Sequence, residues 1–222
     1  VPTFSAFSVD IDALSEVGTV IDGTCSFTWS TTTGGNVASN SIGICDVTNA
    51  NQLATGLAND GSESLDIDGP LSNASPTTWT WQITGCSTQG DSFSRNRTRS
   101  SVYPYFWGVE TCGVRPTINN DLITGGTKVV NTVSSSVGIS FNSVGQWTWF
   151  AMPSNCTSRT KWFQGAAPNC GDIAVLPTDK YPDEVCVNVT SPDGCWSSIE
   201  YKVYLSGSAA TDGSTPIEFR TS

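Results

Sequence analysis

Apolar side chains in this chain recur at every second position, in short runs broken by turn formers. That period is the one a β-strand needs to bury one face and wet the other. Thr24 to Trp29 places Cys25, Phe27 and Trp29 on one face, and Ser41 to Val47 turns Ile42 and Ile44 inward with Cys45 on the opposite side. Val9-Asp10-Ile11-Asp12, Leu65-Asp66-Ile67-Asp68 and Trp79-Thr80-Trp81-Gln82-Ile83 alternate in the same way, and Phe93 to Thr98 reads as one further strand. Between them lie Gly34-Gly35, Asn59-Asp60-Gly61 and Asp68-Gly69-Pro70, all turn-forming sequences. Ala50 to Leu57 reads as a turn of helix or a hairpin arm, and nothing longer carries a helical period.

About seven strands in the first hundred residues predict a β-sandwich of immunoglobulin-like shape. Beyond Ser100 the texture changes. Tyr103-Pro104-Tyr105-Phe106-Trp107 is bulky at every position, so both of its faces are expected to be covered. Lys128 to Val133, Val137 to Phe141, Gln146 to Phe150, Thr160 to Phe163, Cys186 to Val189, Glu200 to Leu205 and Ile217 to Phe219 continue the strand pattern. The expected fold is all-β: two β-sandwich domains in tandem, an acidic one over 1–99 and an aromatic-rich one with long loops over 100–222.

Charge supports that division. Residues 1–94 hold ten carboxylates and no Lys or Arg, whereas residues 95–222 hold ten of each sign. An acidic or neutral surface argues against nucleic acid as a partner. Arg95, Arg97 and Arg99 share a strand face and are expected to stand against the acidic part in a structural role. Charged residues make up 14% of the chain, while 30 Ser and 28 Thr supply uncharged polarity. No run approaches the length of a membrane span. The chain starts at Val1, which reads as a processed product or part of something longer.

The eight cysteines are Cys25, Cys45, Cys86, Cys112, Cys156, Cys170, Cys186 and Cys195, and none shows zinc-knuckle spacing. They are read as disulfide candidates, which implies an extracellular setting. Cys45 with Cys86 is the suggested surface bridge. With three cysteines before residue 100 and five after, at least one bridge is expected to cross between domains or subunits.

With no histidine in the chain and no carboxylate pair facing a cleft, no catalytic residue, cofactor or metal is assigned. Asp10, Asp12, Asp60, Glu63, Asp66 and Asp68 form an acidic set weighed for calcium and read as solvated strand ends. Trp147 and Trp149 share one face, as Tyr103, Tyr105 and Trp107 do, and both sets are read as core. Tyr105, Trp147, Trp149, Trp162 and Trp196 are the candidates for the alternative, a subunit interface or a sugar-stacking platform. Asn73, Asn96, Asn155 and Asn188 open glycosylation sequons at about the frequency the composition would supply by chance.

Two segments carry a resemblance. The first runs from Thr48-Asn49-Ala50-Asn51-Gln52-Leu53 through Asn59-Asp60-Gly61-Ser62-Glu63 to Trp79-Thr80-Trp81-Gln82-Ile83-Thr84-Gly85 and Phe93-Ser94-Arg95-Asn96. The second joins Tyr103-Pro104-Tyr105-Phe106-Trp107-Gly108, Trp149-Phe150-Ala151-Met152-Pro153, Thr160-Lys161-Trp162-Phe163, Ser191-Pro192-Asp193-Gly194-Cys195-Trp196 and Tyr201-Lys202-Val203-Tyr204. In that order they resemble tandem β-sandwich modules of tailed-phage virion proteins. The resemblance implies a non-catalytic structural subunit of a tail fibre, baseplate or capsid appendage, with copies of itself or other structural subunits as partners. The cysteine content fits bridges formed after release, or a secreted filament of a cellular organism. A receptor- or carbohydrate-binding adhesin that meets a host-surface glycan is the alternative function.

Overall fold

The computed structural model describes residues 1–20, 23–32, 36–67, 75–111, 113–130, 137–140, 145–154, 160–164, 183–207 and 216–221. The protein is all-β with several sheets and, among the described residues, one short helix. It divides into two compact units, Val1–Ser101 and Val102–Ser222.

The first unit contains β1 (Phe4–Val9), β2 (Leu14–Glu16), β3 (Thr24–Thr31), β4 (Ile42–Asp46), β5 (Asn51–Leu57), β6 (Gly61–Asp66) and β7 (Thr78–Cys86). Strand β8 (Ser92–Val102) closes it. One sheet has the order β1-β3-β6 and the other β2-β8-β7-β4-β5. Alternation explains the core. On β3, Cys25, Phe27 and Trp29 are buried; on β7, Trp79, Trp81 and Ile83 are buried, and all join Phe4, Phe7, Val9, Ile42, Ile44, Ile67 and Phe93 in one cluster. The Ala50–Leu57 stretch resolves as strand: β5 pairs with β4 through an irregular register.

The outer faces of β3 with β6 and of β7 with β8 are mostly hydroxyl and amide ladders. Ser8 pairs across from Thr28, which pairs across from Ser62, and Ser26 lies opposite Ser64. Ser5 Oγ and Ser30 Oγ are 2.8 Å apart. On the larger sheet Thr78, Thr80, Gln82 and Thr84 face Ser100, Thr98, Asn96 and Ser94, with Gln82 Nε2 donating to Asn96 Oδ1 at 2.9 Å.

The second unit contains β9 (Tyr105–Glu110), α1 (Asn120–Thr124), β10 (Thr127–Val129), β11 (Val137–Ser140), β12 (Trp147–Pro153), β13 (Thr160–Gln164), β14 (Asp183–Val189), β15 (Ile199–Leu205) and β16 (Pro216–Thr221). Its sheets run β10-β9-β12-β15-β14 and β11-β16-β13. The central strand β12 is buried from Thr148 to Pro153 without alternation. Tyr105, Phe150 and Met152 pack with Trp107, Val109, Val129 and Tyr204 on one face; Phe106, Trp149, Ala151, Tyr201, Val203 and Leu205 are buried on the other. The short helix was not legible in the sequence. Asn119 caps it, its side chain accepting from the Leu122 N–H at 2.8 Å, and Ile123 is its buried residue.

No disulfide joins any two of the described cysteines, which overturns the bridged reading. Cys25, Cys45, Cys86 and Cys186 are free thiols. Register explains the failure of the suggested Cys45–Cys86 bridge. Cys45 sits opposite Gln82, four positions from Cys86 along β7, a separation of about 13 Å at ~3.3 Å per residue. A disulfide needs Cα atoms within about 7 Å. Cys25 faces the core and Cys186 lies opposite Lys202. Cys112, Cys156 and Cys170 lie outside the described residues.

Candidate functional site

The aromatic residues read as a candidate platform are distributed rather than gathered on a surface. Tyr105, Trp149 and Trp196 are buried. Tyr105 stacks on Phe150 with ring centroids 5.9 Å apart, and Trp196 stacks on Tyr201 at the same distance. Trp196 also meets Tyr103 edge-on at 5.7 Å, and the Tyr201 hydroxyl donates to the Pro104 carbonyl at 2.8 Å. These contacts make packing their role. Trp147 is half-buried opposite Glu110. Trp162 falls on β13 opposite Phe219, and its side chain lies outside the described residues.

Trp149 occupies a slot that glycine makes possible. A Cβ added at Gly108 would lie 2.6 Å from its ring, and one added at Gly126 would also strike it. Its indole N–H reaches Glu110 Oε1 at 3.4 Å.

In the first unit the chemistry-bearing feature is the arginine row on β8. Arg95, Arg97 and Arg99 stand opposite Ile83, Trp81 and Trp79, so they share the strand face that carries the core. Arg95 Nη1 donates to the Phe4 carbonyl at 3.0 Å and the Ser5 carbonyl at 2.7 Å, tying β8 of one sheet to β1 of the other. Arg99 is only 3% exposed and lies over the Trp79 ring, 5.8 Å from its centroid. Its Nε and Nη1 have no hydrogen-bond partner. Burial pushes its ionisation down, opposed by the Asp12 carboxylate. Burial likewise pushes the Cys25 thiol up, with Asp10 adding to it and Arg99 pulling back. The arrangement is a structural clasp in which carbonyls and an aromatic ring do most of the receiving, rather than the acidic surface expected.

The acidic set is spread along β3 instead of converging. Asp10 Oδ1 accepts from the Ser26 N–H at 2.6 Å, near the strand's start, and Asp60 Oδ1 from the Thr31 N–H at 2.6 Å, at its end. Among the described residues no group of three or more acidic, Cys or His side chains is placed to hold a metal ion. Glu63 and Asp66 lie on β6, and Asp68 is outside the described residues.

Of the sequons, Asn96 is exposed in β8 and Asn188 exposed in β14; Asn73 and Asn155 lie outside the described residues. The second unit has an open groove of about 630 Å³ beside β14, lined by Arg115, Pro116, Thr117, Ile118, Glu184, Val185 and Leu205. Sequence reasoning missed it, because Arg115–Ile118 carries no period that would bring it beside residue 184. Glu184 accepts an ion pair from Lys202 Nζ at 2.9 Å, which holds the lysine's ionisation above its ordinary range.

No helix among the described residues is long and apolar enough to cross a membrane. No family model matches the chain, and no curated protein and no solved structure is significantly similar to it.

Proposed function

We propose that this chain is a non-catalytic structural subunit of an extracellular multi-copy assembly, of which a virion appendage is one kind, built from two β-sandwich domains in tandem. The first has the strand order that supports an immunoglobulin-like reading, β1-β3-β6 against β8-β7-β4-β5 with a short β2 added at the β8 side.

The observation that carries the reading is the outer surface of the first unit. Apart from Asp66 at one corner, the outward positions of β1, β3 and β6 carry no charge, and neither do those of β4, β5, β7 and β8. Covering a charged face strips water from ions at a high cost. Paired hydroxyls and amides can be covered and re-bonded by a neighbour at low cost, while a hydrophobic face would aggregate without order. Surfaces of this composition suit repeated subunit contact. Burial of Tyr105, Trp149 and Trp196 supports the same reading over a sugar-binding platform.

Light scattering of the purified chain across a concentration series, with electron microscopy of the same samples, tests this. Discrete oligomers or filaments are the expected outcome. A chain that stays monomeric throughout, or one captured by a glycan array with loss of binding in Trp147→Ala, would overturn it.

A further inference from the structure

We infer that β14 is a strand-addition edge through which a second copy of the chain pairs, antiparallel, across a two-fold axis at Cys186; this rests on the assembly reading above. Sheet edges expose unpaired ladder groups, and most edges are blunted against pairing. In this protein β1 carries a register irregularity between Phe4 and Ala6 and has its Phe4 and Ser5 carbonyls taken by Arg95. Strand β5 is irregular at two places and contains Gly56 at φ 71°, and β10 is three residues long. Strands β6 and β14 lack these devices and keep unbroken registers with β3 and β15. Of the two, β14 is the longer, at seven residues, and α1 comes against it where Asn120 takes the Thr190 N–H.

Its free side can be read from one bond. The Thr190 N–H, just past the strand, donates to Asn120 Oδ1 at 2.9 Å and so points away from β15. Strand alternation then directs the N–H and C=O of Glu184, Cys186 and Asn188 to that same side. Among the described residues no backbone group meets them there. The groove lined by Pro116, Ile118 and Val185 opens beside this edge, and Val185 is 39% exposed.

The sequence of β14 is complementary to itself. An axis at Cys186 pairs all seven residues and sets Val185 against Val187 of the second copy, on the face that carries Val203 and Tyr201. It sets Glu184 against Asn188 and keeps the two glutamates about 13 Å apart at ~3.3 Å per residue. An axis at Glu184 would oppose like charges, and axes at other positions pair fewer residues.

The test uses the full chain. Light scattering of the wild type should show a concentration-dependent mass doubling. Hydrogen exchange of the peptide spanning 184–189 should slow by about 10- to 100-fold on association. Cys186→Pro removes one outward N–H and leaves the ladder to β15 intact, so it should abolish the doubling with the circular dichroism unchanged; Cys186→Ser should associate like wild type. If folded Cys186→Pro associates normally, or if exchange at 184–189 is the same in monomer and assembly, β14 is not the interface and the assembly reading stands without it. Should Cys186→Pro fail to fold, the exchange comparison alone decides. A wild type monomeric at every concentration overturns both.

Discussion

The tripeptide Trp-Thr-Trp occurs twice, once in each unit, and folds into two different environments. In β7, Trp79 and Trp81 are buried while Thr80 between them is half-exposed. In β12, Thr148 is buried with Trp149, and Trp147 is only half-buried. The first sheet has one wet face and one dry face, so period two decides burial. The five-stranded sheet of the second unit is covered on both faces at its centre, so position along the strand decides instead. Identical local sequence therefore gives the same strand and a different energetic weight per residue.

Alanine substitutions should expose that difference most strongly. Trp79→Ala, Trp81→Ala and Trp149→Ala are each expected to cost about 3–5 kcal/mol, as large buried side chains do. Trp147→Ala should cost less, about 1–2 kcal/mol, since part of its area is never removed from water. Denaturant titration reads all four. Equal losses at Trp79 and Trp147 would mean that the two tripeptides are not differently buried.

The glycine slot sharpens the contrast. Gly108→Ala should cost about 1–3 kcal/mol by overpacking, because the new methyl would meet the Trp149 ring. Combined with Trp149→Phe, the two changes should be less costly than their sum, a coupling that a double-mutant cycle measures. Strict additivity would place the strain elsewhere than on that ring.

This contrast also marks how far the sequence could be read. Alternation located the inward residues of β3, β4 and β7, including Ile42 and Ile44 opposite in face to Cys45, because one-sided burial writes itself into period two. The bulk of Tyr103 to Phe106 correctly signalled cover on both faces. Cysteine content misled, because counting thiols says nothing of register; Cys45 and Cys86 share a strand pair and still miss each other by four residues. The arginine row was legible as a shared face, but its partners were not. Backbone carbonyls at a strand irregularity leave no sequence signature. The groove beside β14 depends on a loop from residues 115–118, whose path only tertiary structure supplies.

Arg99 provides a smaller effect with the opposite sign. Two nitrogens of the buried Arg99 guanidinium have no partner, so Arg99 is expected to be a net burden, as replacing buried ions with apolar groups of similar volume is often neutral or stabilising by about 1–4 kcal/mol. Arg99→Met keeps the bulk over Trp79 and should raise the melting temperature, whereas Arg95→Ala, which releases the Phe4 and Ser5 carbonyls, should lower it. A destabilised Arg99→Met would show that the cation over the Trp79 ring is worth more than its lost hydration.

The smallest expected difference between the units is in their response to alkali. In the first unit burial raises the Cys25 thiol above its ordinary value of 9.0. In the second, burial raises the Tyr103 and Tyr204 phenols above 10.0, and the ion pair with Glu184 raises Lys202 above 10.5. A folded-state value above the unfolded one contributes stability that is complete below the unfolded value and is lost as pH rises through the folded value. The thiol contribution should therefore begin to fade near pH 9 and the tyrosine and lysine contributions only above about 10. Calorimetric melting between pH 7 and 11 should show wild-type stability declining from about pH 9. Cys25→Ala, whatever it costs at neutral pH, should delay the onset to about pH 10, and Tyr204→Phe should flatten only the later limb. An onset unmoved by Cys25→Ala would mean that the thiol ionises as readily in the folded core as in the open chain.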